Sequence, residues 1–230
     1  LERYTNDQPI IYNNTLGIYQ EATANGTYSK EESTVSFTNI EPRFTLAYRN
    51  QKSAWKASYQ RVHQYLHLIS NTASPTPLDV WTTSGKYLKP QRGDQWAVGY
   101  VTERENGNSF EVESFYKITK NRYDYIDGAE LVANEALERI LLAGKGRAYG
   151  LELLFKKTQG DLTGLIAYTL SKAEQQTKGI GQNDPGINNG YWYNAPYDKT
   201  HDLSVSVTCT PSKRWEWNVN FVAQTGQPVT

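Results

Sequence analysis

The sequence predicts an all-β protein, an antiparallel portion of a transmembrane β-barrel, and four observations carry that expectation. Apolar and polar residues alternate with a period of two over most of the chain. Both resulting faces are systematic, one aromatic and aliphatic, the other small, hydroxylic or charged. The alternating runs are about ten residues long, the length a tilted strand needs to cross a bilayer. The connections between them are sorted: turns of a few residues at one end of each strand, segments of roughly 25–30 residues at the other. A soluble sandwich keeps most connections short at both ends.

The rule is clearest at 147–173. Tyr149, Leu151, Leu153 and Phe155 share one face against Gly150, Glu152 and Lys156, and residues 157–161 break the pattern. Leu162, Ile166, Tyr168 and Leu170 then share a face against Thr163, Ala167, Thr169 and Ser171, so the two runs form a hairpin. From the N-terminus, residues 1–33 read mostly as an extracellular loop, with turn signals at Asn13-Asn14 and Asn25-Gly26 and a candidate short strand at 16–20. Residues 34–230 read as barrel strands with short periplasmic turns and long extracellular loops. Residues 34–40 are expected to finish a strand that Glu41-Pro42 breaks.

Phe44, Leu46 and Tyr48 begin the regular series; after a turn at 50–53, Trp55, Ala57 and Tyr59 share the apolar face of the next strand. A long segment, 62–93, leads to Trp96, Val98 and Tyr100, then to a turn at 105–108. Phe110, Val112, Tyr116 and Ile118 follow on one face, opposite Glu111, Glu113 and Lys117, a charged inner row rather than a core. Further long segments are expected at 119–146 and 174–200, on either side of the hairpin. Last, Leu203, Val205, Val207 and Cys209 alternate with Ser204, Ser206, Thr208 and Thr210, and after a turn at 211–214 come Trp215, Trp217, Val219, Phe221 and Ala223. This makes eight strands and up to two weaker ones.

Composition agrees. Hydrophobic residues are 38% of the 230, against about 45–50% in ordinary globular chains, so a compact interior is thin for this length. Tyr (17) and Trp (6) are abundant, which suits wet–dry boundaries. A formal net charge of zero gives no reason to expect nucleic acid. A single cysteine, Cys209, excludes an intrachain disulfide and a thiolate metal cluster. No run of about 18 apolar residues offers a transmembrane helix, which says nothing of strands. With no methionine and a start at Leu1, the chain reads as a piece of a longer one, any targeting segment lying outside it.

Trp55, Trp215 and Trp217 follow short turns on the apolar face, and Trp96 stands where a strand leaves a long loop, the two levels at which aromatic girdles form. The plain alternative is that these rings cap a core edge. In hydrocarbon an unpaired backbone group costs several kcal/mol, so spanning strands must close on themselves. The first and last strands are therefore edges whose partners are expected elsewhere in the polypeptide.

Several segments resemble TonB-dependent outer-membrane receptors, with the flavour of the Bacteroidetes members. They are Ile40-Glu41-Pro42-Arg43-Phe44, Tyr65-Leu66-His67-Leu68, Leu88-Lys89-Pro90-Gln91 ahead of Gln95, and Gly144-Lys145-Gly146-Arg147-Ala148-Tyr149-Gly150-Leu151-Glu152. Leu162-Thr163-Gly164 through Tyr168-Thr169-Leu170-Ser171, Trp192-Tyr193 with Asp198 and His201-Asp202, and Asn220-Phe221 through Thr225-Gly226 carry the same likeness. The resemblance implies a barrel of about 22 strands around an N-terminal plug, of which this chain is the latter-middle portion. It also implies uptake of a scarce ligand, a ferric siderophore or cobalamin and in some branches a glycan or peptide, driven by an inner-membrane TonB complex pulling on a short N-terminal box. Neither plug nor box lies in these residues. The partners implied are outer-membrane lipid, the TonB complex, the ligand and, as a candidate, a surface lipoprotein; no cofactor is expected.

Motifs for other chemistry are weak. His63 and His67 are four apart on a strand, which is not the helical geometry of a zinc pair, and no third ligand is near. His201 between Asp198 and Asp202 lacks a nucleophile and reads as a structural hydrogen-bonding cluster. Gly144-Lys145-Gly146 lacks the rest of a phosphate loop. Glu111, Glu113, Glu152, Lys156 and Glu216 read as a solvated inner wall or as partners for plug arginines. Candidate ligand contacts are the loop aromatics Tyr65, His67, Trp81, Tyr87, Tyr191, Trp192 and Tyr193, whose flat faces with polar tips suit stacking; the alternative is loop packing or headgroup contact. Two other functions stay open, a passive porin-like barrel and a soluble carbohydrate-binding module. The latter would leave Cys209 open to water-soluble thiol reagents.

Overall fold

The computed structural model describes residues 10–13, 18–21, 36–69, 80–85, 88–125, 141–179 and 185–228. Its main feature is one antiparallel sheet. In spatial order it runs β13 (Trp215–Gln224), β12 (His201–Ser212), β10 (Leu162–Gln176), β9 (Leu141–Lys157), β8 (Asn108–Tyr125), β7 (Gln91–Glu103), β4 (Ser53–Gln64) and β3 (Arg43–Arg49). A two-residue strand, β11 (Tyr193–Asn194), adds to β10. Two small hairpins stand apart, β1 (Ile10–Asn13) with β2 (Ile18–Glu21), and β5 (Leu66–Ile69) with β6 (Val80–Thr83). The eight strands of the main path are those the alternation predicts. The sheet is open, β3 and β13 being paired on one side only among the described residues.

Strand neighbours in sequence are neighbours in space, because each tight turn returns the chain beside itself. At 104–107 the turn closes by Arg104 N–H to Asn108 O (2.8 Å) and Gly107 N–H to Arg104 O (3.0 Å), with Gly107 at φ 76°. That left-handed conformation costs a residue with a Cβ about 1–2 kcal/mol, which explains the glycine.

The apolar residues share one face and stay uncovered. Leu46 is 74% exposed, Trp217 62% and Val219 60%, and the uncovered set continues through Trp55, Val98, Phe155 and Ile166. An exposed apolar sheet face of this extent is a surface built to meet lipid or protein, since soluble monomers rarely show patches beyond a few hundred Å². The only cluster of buried apolar residues among those described is small, Ile69, Leu88, Tyr125 and Leu141, at the long-loop end where the β5–β6 hairpin meets β8 and β9.

Three expectations need correction. Residues 36–42 form no strand: Pro42 has no N–H to donate, and the stretch instead follows β4 irregularly, the Pro42 carbonyl taking Arg61 N–H (3.0 Å) and the Glu41 carboxylate taking His63 N–H (2.5 Å). The expected long loops are shorter than 62–93, 119–146 and 174–200, because β4, β8 and β10 run on and β7 and β9 start early. Consequently Trp96 sits well inside β7 rather than at its mouth. At the N-terminus the short strand begins at Ile18 and pairs with β1; residues 16–17 lie outside the described ones.

Candidate functional site

A strand needs about 9–11 residues to cross a bilayer, yet β8, β9 and β10 have 18, 17 and 15. Measured from their short turns, their far ends stand clear of the membrane and carry the long connections. There the alternation is interrupted once. Asn121 takes a left-handed conformation (φ 56°), its side chain donates to the Pro90 carbonyl (2.9 Å), and the β8–β9 register shifts between Lys120 and Arg122. One extra residue reverses the facing of all that follow. Lys120, before the bulge, keeps the apolar face with Tyr116 and Ile118, whereas Arg122 and Asp124 after it share the opposite, inner face with Gly144 and Leu142.

The connection after β10 folds back onto this inner face. Asp198 is buried and accepts the Ala173 N–H (2.7 Å), Ala195 N–H reaches the Ala173 carbonyl (2.9 Å), and Ser171 binds the carbonyls of Lys199 and Thr200. So anchored, the loop places Tyr193 opposite Gln175, where its hydroxyl donates to Asp124 Oδ2 (3.0 Å) and accepts from Thr177 Oγ1 (3.1 Å). Burial pushes the Tyr193 phenol up to about 12, with the Asp124 carboxylate adding to the shift. Arg122 Nη1 donates to Tyr197 Oη (3.0 Å) and its guanidinium lies 5.2 Å from that ring. Two buried polar atoms, Arg122 Nε and Gln175 Oε1, have no hydrogen-bond partner among the described residues. The result is an inward-facing cluster with a cation, an unpaired donor and an unpaired acceptor at the mouth of the wall. Lower on the sheet a groove of about 660 Å³ lies at the row Phe115, Gly150 and Ser171.

The predicted aromatics divide. Trp81 (63% exposed) and Tyr191 (72%) present open rings. Tyr65 is held by Asn39 (3.0 Å) and packs near Phe37 (6.4 Å). His67 is buried against Ser84 (2.9 Å) and edge-on to Tyr123 (5.3 Å). Trp192 lies under Arg147 (4.1 Å) and Lys145 (5.3 Å). Tyr193 belongs to the cluster, and Tyr87 lies outside the described residues. Trp192 and Tyr193 thus point to opposite faces although adjacent in sequence.

Glu111, Glu113, Glu152, Lys156 and Glu216 all fall on the polar face, none in an ion pair among the described residues. Glu113 and Glu152 stand directly opposite one another, a like-charge pairing that is unfavourable without a cation between them. Asp198, His201 and Asp202 make separate bonds, to Ala173 N–H (2.7 Å), Tyr168 Oη (2.7 Å) and Gln224 Nε2 (2.7 Å), and form no relay. No three potential metal ligands come together among the described residues.

Sequence reasoning missed Arg122, Asp124, Thr177 and Tyr197. The one local signal was Asn121, an asparagine being among the few residues that tolerate a left-handed position. Compared with known proteins, the chain matches the family model described as TonB dependent receptor-like, beta-barrel, over residues 3–229. No curated protein and no solved structure matches it.

Proposed function

The chain belongs to the family of TonB-dependent receptor β-barrels, and from that premise we propose that it forms part of the wall of an outer-membrane transporter that imports a scarce small ligand, a ferric siderophore, cobalamin or a similar molecule, in an energised step. The family is one of receptors and transporters, not of enzymes. The observation that carries the reading is the inward-facing cluster at the mouth, Arg122, Asp124, Tyr193 and Tyr197, held above the membrane by strands longer than a crossing needs.

In this reading the short turns face the periplasm and the cluster faces outward. A polar or anionic group on the ligand meets Arg122, whose Nε is unpaired, while Gln175 Oε1 accepts from a ligand donor. The open rings of Tyr191 and Trp81 supply stacking faces before the ligand enters. Below, the polar face with Glu113 opposite Glu152 suits a hydrated interior holding a plug, whose arginines would relieve that like-charge pair. The energised step belongs to the plug and the TonB complex, outside these residues.

The test uses the parent receptor in its own membrane. Uptake of the cognate ligand should require TonB, and Arg122→Ala should weaken ligand binding about tenfold, the worth of a hydrogen bond to a charged group. Uptake that persists unchanged without TonB would instead indicate a passive porin-like barrel.

A further inference from the structure

Arg122 Nε and Gln175 Oε1, the two buried atoms at the mouth that lack a partner among the described residues, are one donor and one acceptor, and both stand beside the same bare position on β9. Gly146 is the direct cross-strand partner of Gln175 on one side and of Thr119 on the other. Arg122 belongs one row higher on this face, opposite Gly144, but leans back over the lower row. Its Cδ lies 3.9 Å from where a Cβ of residue 146 would stand, and Nε is the next atom of that side chain. Gln175 is 2% exposed and Arg122 is half-buried, so water gives neither atom the compensation an open surface would.

The two glycines at this level are bare for different reasons. A Cβ at Gly144 would lie 2.5 Å from Thr177 Oγ1 and 2.8 Å from the Gln176 carbonyl oxygen, so packing itself requires that glycine. At Gly146 the nearest atoms would be the Glu174 carbonyl oxygen at 3.5 Å, Thr119 Cβ at 3.7 Å and Arg122 Cδ at 3.9 Å, all ordinary contacts. Nor is the backbone left-handed there. Neither packing nor conformation calls for a glycine at 146. What the missing side chain supplies is room between a donor and an acceptor. The charge of the rim is balanced as well: the cation Arg122 and the carboxylate Asp124 stand two residues apart on one face. A carboxylate bound at Arg122 would set a second acceptor oxygen against Gln175 Oε1 and a second negative charge beside Asp124. A neutral group that accepts and donates together satisfies both atoms and adds no charge.

We infer that Arg122, Gly146 and Gln175 form a subsite that selects a carboxamide on the imported molecule. Its carbonyl oxygen takes the Arg122 Nε–H, its N–H donates to Gln175 Oε1, and the flat amide lies over Gly146. A cationic donor strengthens the bond to the polarised carbonyl, and a floor without a Cβ suits a planar group. The subsite rests on the reading that this inner face meets the imported molecule, not on how import is energised.

The test is made on the full parent receptor in nanodiscs, by fluorine NMR titration of three small probes of similar size, trifluoroacetamide, trifluoroacetate and trifluoroethanol. Trifluoroacetamide should bind about tenfold more tightly than either of the others. Arg122→Lys keeps the charge but has no Nε, and Gln175→Leu has no acceptor; each should weaken amide binding about tenfold. Gly146→Ala, whose Cβ meets ordinary contacts only, should keep the heat-modifiable folded band and lose the amide preference. Lys120→Ser, on the opposite face, should leave all three titrations unchanged. Trifluoroacetate binding as tightly as the amide would make this an anion site, and trifluoroethanol doing so would make it a hydroxyl site. Undiminished amide binding by Gly146→Ala would place the binding elsewhere. Any of these overturns the assignment, as does a native receptor that binds no trifluoroacetamide. Uptake with and without TonB, measured on the unmutated receptor, reports on the transporter reading alone. TonB-dependent uptake without amide preference sinks the subsite only, and amide preference without TonB dependence sinks the energised step only.

Discussion

Asn121 decides which side of the wall Arg122 occupies. Its left-handed conformation inserts one residue into β8, and its amide fixes the bulge to the Pro90 carbonyl at 2.9 Å. Asn121→Ala keeps the length but gives up the amide and strains the backbone, so it should destabilise the parent barrel by about 1–2 kcal/mol in urea unfolding. Asn121→Gly, which removes the strain but not the lost bond, should cost less; equal losses for the two would deny the conformation its role. Tyr193 gives the second residue-scale prediction. Its phenol is raised to about 12 from the ordinary 10, burial being the main cause. Between those two values the folded chain binds a proton the unfolded chain has released, so stability falls as pH rises through that window and is intact below it. Loop docking, followed by hydrogen exchange at Ala173 and Ala195, should hold to pH 10 and be lost toward pH 12. Tyr193→Phe, with no phenol to titrate, should remove that alkaline loss.

Among the elements, β9 shows how tightly the strands are fitted. A Cβ on Gly150 would lie 2.6 Å from the Leu170 carbonyl oxygen and 2.9 Å from both Phe115 Cε1 and Ser171 Cβ. Gly150→Ala should therefore cost about 1–3 kcal/mol, as overpacking does, read as a lower temperature for loss of the folded band on unheated gels. Adding Phe115→Ala should recover only part, since the carbonyl is fixed by the sheet. The alternation in 147–173 made β9 and β10 legible because one face meets lipid and the other water, so every second residue is constrained. Beyond the bilayer both faces are wet and that constraint ends, although the hydrogen-bond ladder continues. This is why 119–125 and 141–146 read as loop while forming the ends of β8 and β9. The mouth cluster was hidden for the same reason: Tyr193 was a candidate as an aromatic, but its partners Asp124 and Thr177 become neighbours only through a strand extension and a bulge that leave no periodic trace.

For the whole molecule the governing fact is that the sheet has a lipid face, a water face and, among the described residues, two open edges. Thin hydrophobic content follows directly, for a one-layer wall needs apolar residues on one side only. On the lipid face, Cys209 of the assembled parent should react with a membrane-soluble maleimide and resist a charged one. Rapid aqueous labelling would return the sheet to water and revive the soluble-module reading. The edges lead to a stronger consequence. In hydrocarbon each backbone group left without a partner costs several kcal/mol, and among the described residues β3 and β13 each present an unpaired row over 7 and 10 residues. Neither length of edge can be hidden by twisting or by side chains on the lipid face, because the unpaired groups point along the sheet into lipid. The 230-residue chain refolded by itself in detergent micelles should therefore give no heat-modifiable monomer on gels, but edge-paired oligomers that grow with protein concentration. Co-refolding with the remaining strands of its parent should convert it to a single heat-modifiable species. A concentration-independent monomer formed by the chain alone would mean that β3 and β13 pair with each other, which makes this a complete small barrel and removes room for a plug.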